Sequence, residues 1–345
     1  MRYKKEKIES IRQFIIDNLS KHPKDIASYA SDKLGITRQT THKYLKNFIT
    51  DSLIRSIGKT KGVQYKFVSI KHEFELPMEQ VKSESDVWTG KIVPILPDLT
   101  KNVYDICNYG FTEMLNNVID HASATKVTIE VQYNLYSIKF WITDNGVGIF
   151  NKIQRDLKLA TPQQSILELA KGKFTSDPSR HGGEGIYFTS RMFDIFAILS
   201  GTLRFLGQDK NDWIFDAPIG EIDGTAVFME IIRSSKRKNQ DVFSQFTLET
   251  EDHVFRKTKI PLKLMQYEGE SLVSRSQAKR LLARADKFVE VILDFNGIKF
   301  IGQAFADEIF RVFHNQHPEV NIIHVNATKE VEDMIRHVTT EVRND

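Results

Sequence analysis

A multi-domain α+β fold is what this sequence predicts, on three observations. Hydrophobic spacing is helical in some segments and alternating in others, so helices and strands are mixed along the chain. The 345 residues, 41% hydrophobic and 27% charged, suffice for two or three domains with cores of their own. Charge is uneven: residues 1–70 carry 15 Lys/Arg against 6 Asp/Glu, a net of +9, against −6 for residues 71–345 and +3 for the whole. A basic module joined to a mildly acidic remainder points to a polyanion partner for the first part. No apolar run reaches the roughly 18 residues of a membrane span, and MRYKKEKIES has no apolar core behind its basic residues. With Cys107 as the single cysteine, these features predict a cytoplasmic protein without membrane contact or disulfide, with Cys107 a small buried hydrophobe.

In residues 1–70, Ile8, Ile11, Ile15 and Leu19 recur at helical spacing, as do Ile26, Tyr29, Ala30 and Leu34. Gly35 suits a sharp turn, and Thr37 suits the cap of a third helix, RQTTHKYLKNFIT, with Leu45, Phe48 and Ile49 inward. LIRSI and VQYKF then read as two strands around the tip GKTKG. Three helices followed by a basic-tipped hairpin resemble a winged helix-turn-helix domain. That resemblance implies double-stranded DNA as partner, with Arg38, Gln39, Thr40 and Lys43 at bases or phosphates and Lys59 and Lys61 of the wing on phosphates. A small helical domain used for protein contact is the bland alternative.

Residues 71–100, with Pro77, Pro94 and Pro97, read as a connector, 101–235 as the second domain, 236–260 (with RSSKRKN) as a linker and 261–345 as the third domain. Within the second domain, Glu113, Asn117 and His121 are spaced i, i+4, i+8 and share one face of an amphipathic helix. A carboxylate there can polarise water and an amide oxygen can ligate magnesium, although solvated polar residues are the commoner case. Asp144 ends the strand YSIKFWIT and opens DNGVG, where Gly146 and Gly148 permit close backbone approach to a flat ring. Gly183 and Gly185, in HGGEG, precede the apolar helix expected over IYFTSRMFDIFAIL and can present N–H groups to phosphate.

In order and spacing these stretches resemble the N, G1 and G2 boxes of the gyrase, heat-shock chaperone, histidine kinase and mismatch-repair (GHKL) ATP-binding family, and Gly224-Thr225 matches that family's late Gly-Thr pair. The resemblance implies an α/β-sandwich domain binding ATP and magnesium: Asn117 on the metal, Asp144 on the adenine amine, Gly146 and Gly148 beside the ring, Gly183 and Gly185 at the phosphates and Thr225 beneath the base. Glu113 matches the catalytic base. Residues 151–181 would form a mobile lid, with Lys171, Lys173 and Arg180 as phosphate contacts or as a solvated basic loop. A winged helix stands where histidine kinases carry their phospho-accepting helical hairpin, which argues against histidine autokinase activity.

The third domain resembles a STAS-like α/β domain through VEVILDFNGIKFIGQAFADEIFRVF, which implies a protein partner, yet Gly302-Gln303-Ala304 replaces the phosphorylatable serine of anti-sigma antagonists. Ser271, Ser274 and Ser276 read as loop or capping serines. The expected function is an ATP- and DNA-binding regulator whose nucleotide state, read through lid ordering or homodimerisation, controls DNA or partner binding. A serine/threonine kinase of the anti-sigma type, or an ATPase, is the alternative.

Overall fold

The computed structural model describes residues 2–58, 62–172, 183–208, 212–216, 222–247, 255–266 and 271–340. Helices α1 (Arg2–Leu19), α2 (Ile26–Leu34) and α3 (Arg38–Thr50) are followed by the antiparallel pair β1 (Ile54–Ile57) and β2 (Gln64–Phe67). Gly35 closes α2 in the left-handed region at φ 63°, and the Thr37 hydroxyl accepts the Thr40 N–H to start α3. This unit has its own core of Ile11, Ile15, Leu19, Ile26, Ala30, Leu45, Phe48 and Ile54. Ile8 and Ile49, expected inward, are exposed; Thr41 occupies the buried position on α3 instead, because the packed stripe runs through 41, 45 and 48.

The stretch expected as a connector belongs to the second domain. β3 (Ile70–Pro77) pairs along its whole length with β4 (Lys126–Tyr133), from Ile70 opposite Tyr133 to Pro77 opposite Lys126. Its alternation of Lys71, Glu73 and Glu75 with His72, Phe74 and Leu76 is a half-buried strand pattern, and Pro77 merely ends it. Helix α4 (Glu84–Val87) runs on through helical turns to Ile95, and its Trp88 packs against Tyr104 and Phe111 of α5 (Lys101–His121).

β3, β4, β5 (Ser137–Asp144), β9 (Ile222–Ile232), β6 (Ile195–Gly201), β7 (Leu203–Gln208) and β8 (Asp212–Asp216) form one antiparallel sheet in the order β3-β4-β5-β9-β6-β7-β8. Against it lies α5, burying Val103, Ile106, Phe111, Met114, Leu115 and Val118 over Ile129, Phe140 and Met229. Each such side chain contributes roughly 1.5–3 kcal/mol. Helices α6 (Ile149–Leu157), α7 (Gln164–Lys171) and α8 (Gly185–Met192) follow β5. The long helix expected over IYFTSRMFDIFAIL is therefore two elements, α8 and β6. Asp194 makes the break by accepting the Ile232 N–H and pairing with Arg237.

The described residues of the expected linker are structured too. It holds α9 (Asn239–Phe246), whose aromatic residues pack on α5 and α8, and β10 (Lys257–Pro261), which opens the third domain before residue 261. The expected strand KIPLKLM turns into a 3-10 segment after Pro261. A parallel sheet β10-β11-β12 is completed by β11 (Glu290–Asp294) and β12 (Asn321–Val325). It carries α10 (Arg275–Leu282), α11 (Gln303–Asp307) running on through Glu308–Phe313 into α12 (His314–Gln316), and α13 (Lys329–Thr340). Ser274 caps α10 in a reciprocal box with Gln277. The chain is thus a mixed α/β, multi-sheet protein in which the second and third domains share one continuous hydrophobic core.

Candidate functional site

A cavity of about 340 Å³ opens between α5, the end of β5, the start of α8 and β9. α5 sends Glu113, Asn117 and His121 to it, as the i, i+4, i+8 spacing on one helical face requires. Antiparallel pairing sets Asp144 directly opposite Thr225, so the ends of β5 and β9 deliver both to the same wall. The loop between Asp144 and α6 is tightly determined. Asp144 Oδ1 accepts the Gly146 N–H at 2.8 Å, Val147 N–H donates to the Ala122 carbonyl at 2.9 Å, and Thr225 Oγ1 accepts the Ile149 N–H at 2.9 Å.

Two glycines mark close approaches here. Gly148 sits at φ 79°, and a Cβ on it would lie 2.6 Å from Ser200 Oγ, which itself donates to the Gly224 carbonyl. At the other end of the cavity a Cβ on Gly185 would run into the Glu113 carboxylate, so the start of α8 passes against that side chain. Gly146 does not line the cavity; it packs against the Ala122 carbonyl and shapes the loop that does. Asn145 is a staple: its Oδ1 accepts the N–H groups of Thr125 and Lys126, both at 3.0 Å, and its Nδ2 donates to Thr125 Oγ1.

Three carboxyl groups, Glu113, Asp144 and Glu184, line the cavity. Burial raises the Asp144 carboxyl above the ordinary range, outweighing the backbone donors from Gly146 and Thr225 that favour its charged form. Tyr109, half-buried on the same wall, has its phenol pushed up by desolvation first and by the charges of Glu113 and Glu184 next. Lys152, which sequence reasoning passed over, also lines the cavity and pairs with Asp156 at 2.8 Å. Its signal was present: Ile149, Lys152 and Ile153 occupy the face of α6 that follows from Gly148.

Seven expected residues, Glu113, Asn117, Asp144, Gly148, Gly183, Gly185 and Thr225, are thus brought together from stretches more than 100 residues apart in sequence. Lys173 and Arg180 lie outside the described residues, as do His181 and Gly182 of the glycine run. Lys171 is a correction. Rather than sitting in a loop over the cavity, it is buried at the end of α7, with Nζ 2.6 Å from Glu168 and bonded to the carbonyls of Arg280 and Ala283. Of the residues 151–181 expected as a lid, most of 151–171 is helical, in α6 and α7.

On α3, Arg38, Gln39, Lys43 and Lys46 are exposed along one side. Thr40 is half-buried and engaged with Thr37 in the helix cap, its hydroxyl 2.9 Å from Thr37 Oγ1. Lys59 and Lys61 lie outside the described residues. Cys107 is fully buried, and desolvation pushes its thiol well up. Among the described residues no cluster of three or more His, Cys, Asp or Glu could hold a metal ion by itself, and no helix is long and apolar enough to cross a membrane.

Residues 277–332, within the third domain, match the family described as a STAS-like domain of unknown function (DUF4325). The C-terminal unit is therefore STAS-like. A comparison with curated proteins gives no match to the chain.

Proposed function

We propose that this cavity binds ATP with magnesium in the manner of the GHKL family, and that the chain is a DNA-binding regulator whose nucleotide state sets its affinity for DNA or for a partner. The observation that carries the reading is the convergence of Glu113, Asn117, Asp144, Gly148, Gly185 and Thr225 on one cavity. Asp144, ionised, can accept a hydrogen bond from an exocyclic amine, and Thr225 beside it fixes the loop. N–H groups at the start of α8 suit phosphate. Asn117 would hold magnesium through its amide oxygen. A cavity with few protein ligands fits that metal, which keeps waters and takes phosphate oxygens as its remaining ligands.

The N-terminal unit supports the DNA part of the reading through its +9 charge and the exposed Arg38, Gln39 and Lys43 on α3. It docks on the turn between β4 and β5, where Phe67 stacks on Tyr136, and on the segment just after β9, where Ser234 donates to Asp17 at 3.0 Å. Asp144 stands at the far end of the same strand, about 23 Å away for seven residue steps. β5 is therefore a direct mechanical link between cavity and DNA-binding unit.

Glu113 keeps turnover open as a second reading, since a carboxylate at the phosphate end could orient water or a protein hydroxyl. The chain's own STAS-like domain is a poor acceptor at the position matching the anti-sigma serine. A Cβ on Gly302 would stand 2.8 Å from the Val273 Cα, leaving no room for a serine side chain there. Titration of the full chain with a non-hydrolysable ATP analogue and magnesium tests the pocket. Saturable binding that Asp144→Ala weakens is expected, and no binding at millimolar analogue would sink the nucleotide reading. DNA affinity that is identical with ATP, ADP and no nucleotide would refute the coupling. Radiolabelled ATP separates the outputs, label on protein indicating a kinase and free phosphate an ATPase.

A further inference from the structure

The residues lining the cavity all belong to the second domain, but two of the elements that carry them are braced by the third. Tyr187, which lines the cavity and is almost fully buried, accepts the Lys259 N–H of β10 with its hydroxyl at 3.2 Å. β10 is an edge of the parallel sheet, so the Tyr187 hydroxyl satisfies a donor on its outer side. The Tyr187 ring contacts Phe246 and Phe255, and Phe255 in turn packs on Phe288 just ahead of β11. The Arg191 guanidinium stacks 3.3 Å from the centre of the Tyr187 ring and donates to the Tyr187 carbonyl, holding the residue from the opposite side.

α7, whose Leu169 also lines the cavity, is tied to the same domain. Thr258 Oγ1 of β10 donates to the Lys171 carbonyl at 2.6 Å. Lys171 Nζ donates to the carbonyls of Arg280 and Ala283, filling the role of a C-terminal cap for α10. Glu168 neutralises Lys171 on one side and accepts from Arg284 Nη1 at 3.2 Å on the other. A lysine and a glutamate this deeply buried persist only while all of these partners stay in place.

We infer that the STAS-like domain braces the ligand site from behind, with Tyr187, Lys171 and Arg284 as positioning residues that couple occupancy of the cavity to the docking of β10 and α10. The inference rests on the nucleotide reading above and goes beyond it, by naming the element that senses the ligand. A ligand shifting α7 or α8 changes the contacts that hold β10 and α10. By linkage, the factor by which the ligand favours docking is the factor by which docking favours the ligand, so undocking from the STAS-like side lowers ligand affinity. What a partner of the STAS-like domain would feel is then the occupancy of the cavity, with no phosphoryl group transferred to residue 302.

The test uses the full chain, ATP and magnesium. Tyr187→Phe keeps the ring in the cavity wall and removes only the hydroxyl's bonds to β10, at the Lys259 N–H and the Thr258 side chain, while Arg284→Ala acts from the STAS-like side without lining the cavity. Each is expected to weaken ATP at least fivefold, the lower end of typical coupling. In the wild type, ATP is expected to slow amide exchange in α10 and β10, and in both variants that slowing should shrink. A merely structural role would lower Tm while leaving the ATP-induced change in exchange intact. Unchanged affinity in both folded variants overturns the inference, and so does protection confined to α5, α8 and the Asp144 loop in the wild type, a measurement that needs no variant. Binding by the wild type together with either result leaves the nucleotide reading standing. Absence of any binding by the wild type removes both.

Discussion

Replacing Asp144 by Asn should move ligand affinity and stability in opposite directions. The carboxyl is only 4% exposed, and burial raises its pKa despite the backbone donors of Gly146 and Thr225. A carboxyl whose pKa is higher in the folded than in the unfolded chain binds protons preferentially in the folded state. Its contribution to stability is best below the unfolded value of about 3.9 and declines as pH rises through the folded pKa. Asn resembles the protonated form, keeps an oxygen for the Gly146 N–H and carries no charge to desolvate. The variant should therefore melt above the wild type at pH 7, and the difference should close as pH falls below about 4. The ligand loses a charged acceptor. One hydrogen bond to a charged group is worth about 1.5–3 kcal/mol, so ATP should bind roughly 10- to 100-fold more weakly. Differential scanning fluorimetry from about pH 3 to about pH 8, with calorimetric titration of ATP at about pH 7, reads both quantities. A lower Tm at pH 7 combined with unchanged ATP affinity would refute the argument, because Asp144 would then be a structural acceptor rather than a ligand contact.

Three further outcomes follow from the same geometry. Gly185→Ala places a methyl group where the Glu113 carboxylate lies, and that flexible side chain is what must yield; any phosphate release, read in single-turnover assays, should fall about tenfold or more while ATP affinity changes by less than about fivefold. Lys152→Ala removes the lysine that lines the cavity and should weaken ATP by about tenfold or more while leaving adenosine binding within twofold, as competition titrations would show. Because Lys152 and Asp156 are both partly exposed, the same change should cost at most about 1 kcal/mol of stability. Arg38→Ala with Lys43→Ala should lower double-stranded DNA affinity and reduce the slope of log K against log salt by about two, since each removed phosphate contact takes away about 0.9.

Much of the local structure was legible because it depends on neighbouring residues. Thr37 caps α3, Gly35 ends α2, and the alternation in YSIKFWIT makes β5. The misreadings have equally local causes. Prolines at 77, 94 and 97 are as compatible with a connector as with the end of β3, and the apolar run after Gly185 conceals a helix-to-strand change that only Asp194, bonded to Ile232 and Arg237, reveals. β10 starts ahead of the expected KIPLKLM because its five residues include two lysines whose charges are neutralised by Glu290 and Asp294 on the neighbouring strand, pairs that only the fold creates.

What the sequence determined by itself is the chemistry on offer: a carboxylate and an amide one helical turn apart, an aspartate ending a strand before DNGVG, glycines at a helix start, a basic N-terminal module and a STAS-like C-terminal pattern. Such features are carried by residue type and short spacing, which survive without knowledge of the fold. Only the tertiary structure decided that Asp144 faces Thr225, that Gly185 passes against Glu113, and that Lys171 is buried beneath α10 instead of reaching over the cavity. Each of those depends on which distant segments pack together. A lysine in sequence is equally a solvated cation or a buried cap, and what distinguishes them is the set of carbonyls and carboxylates that the fold brings within about 3 Å.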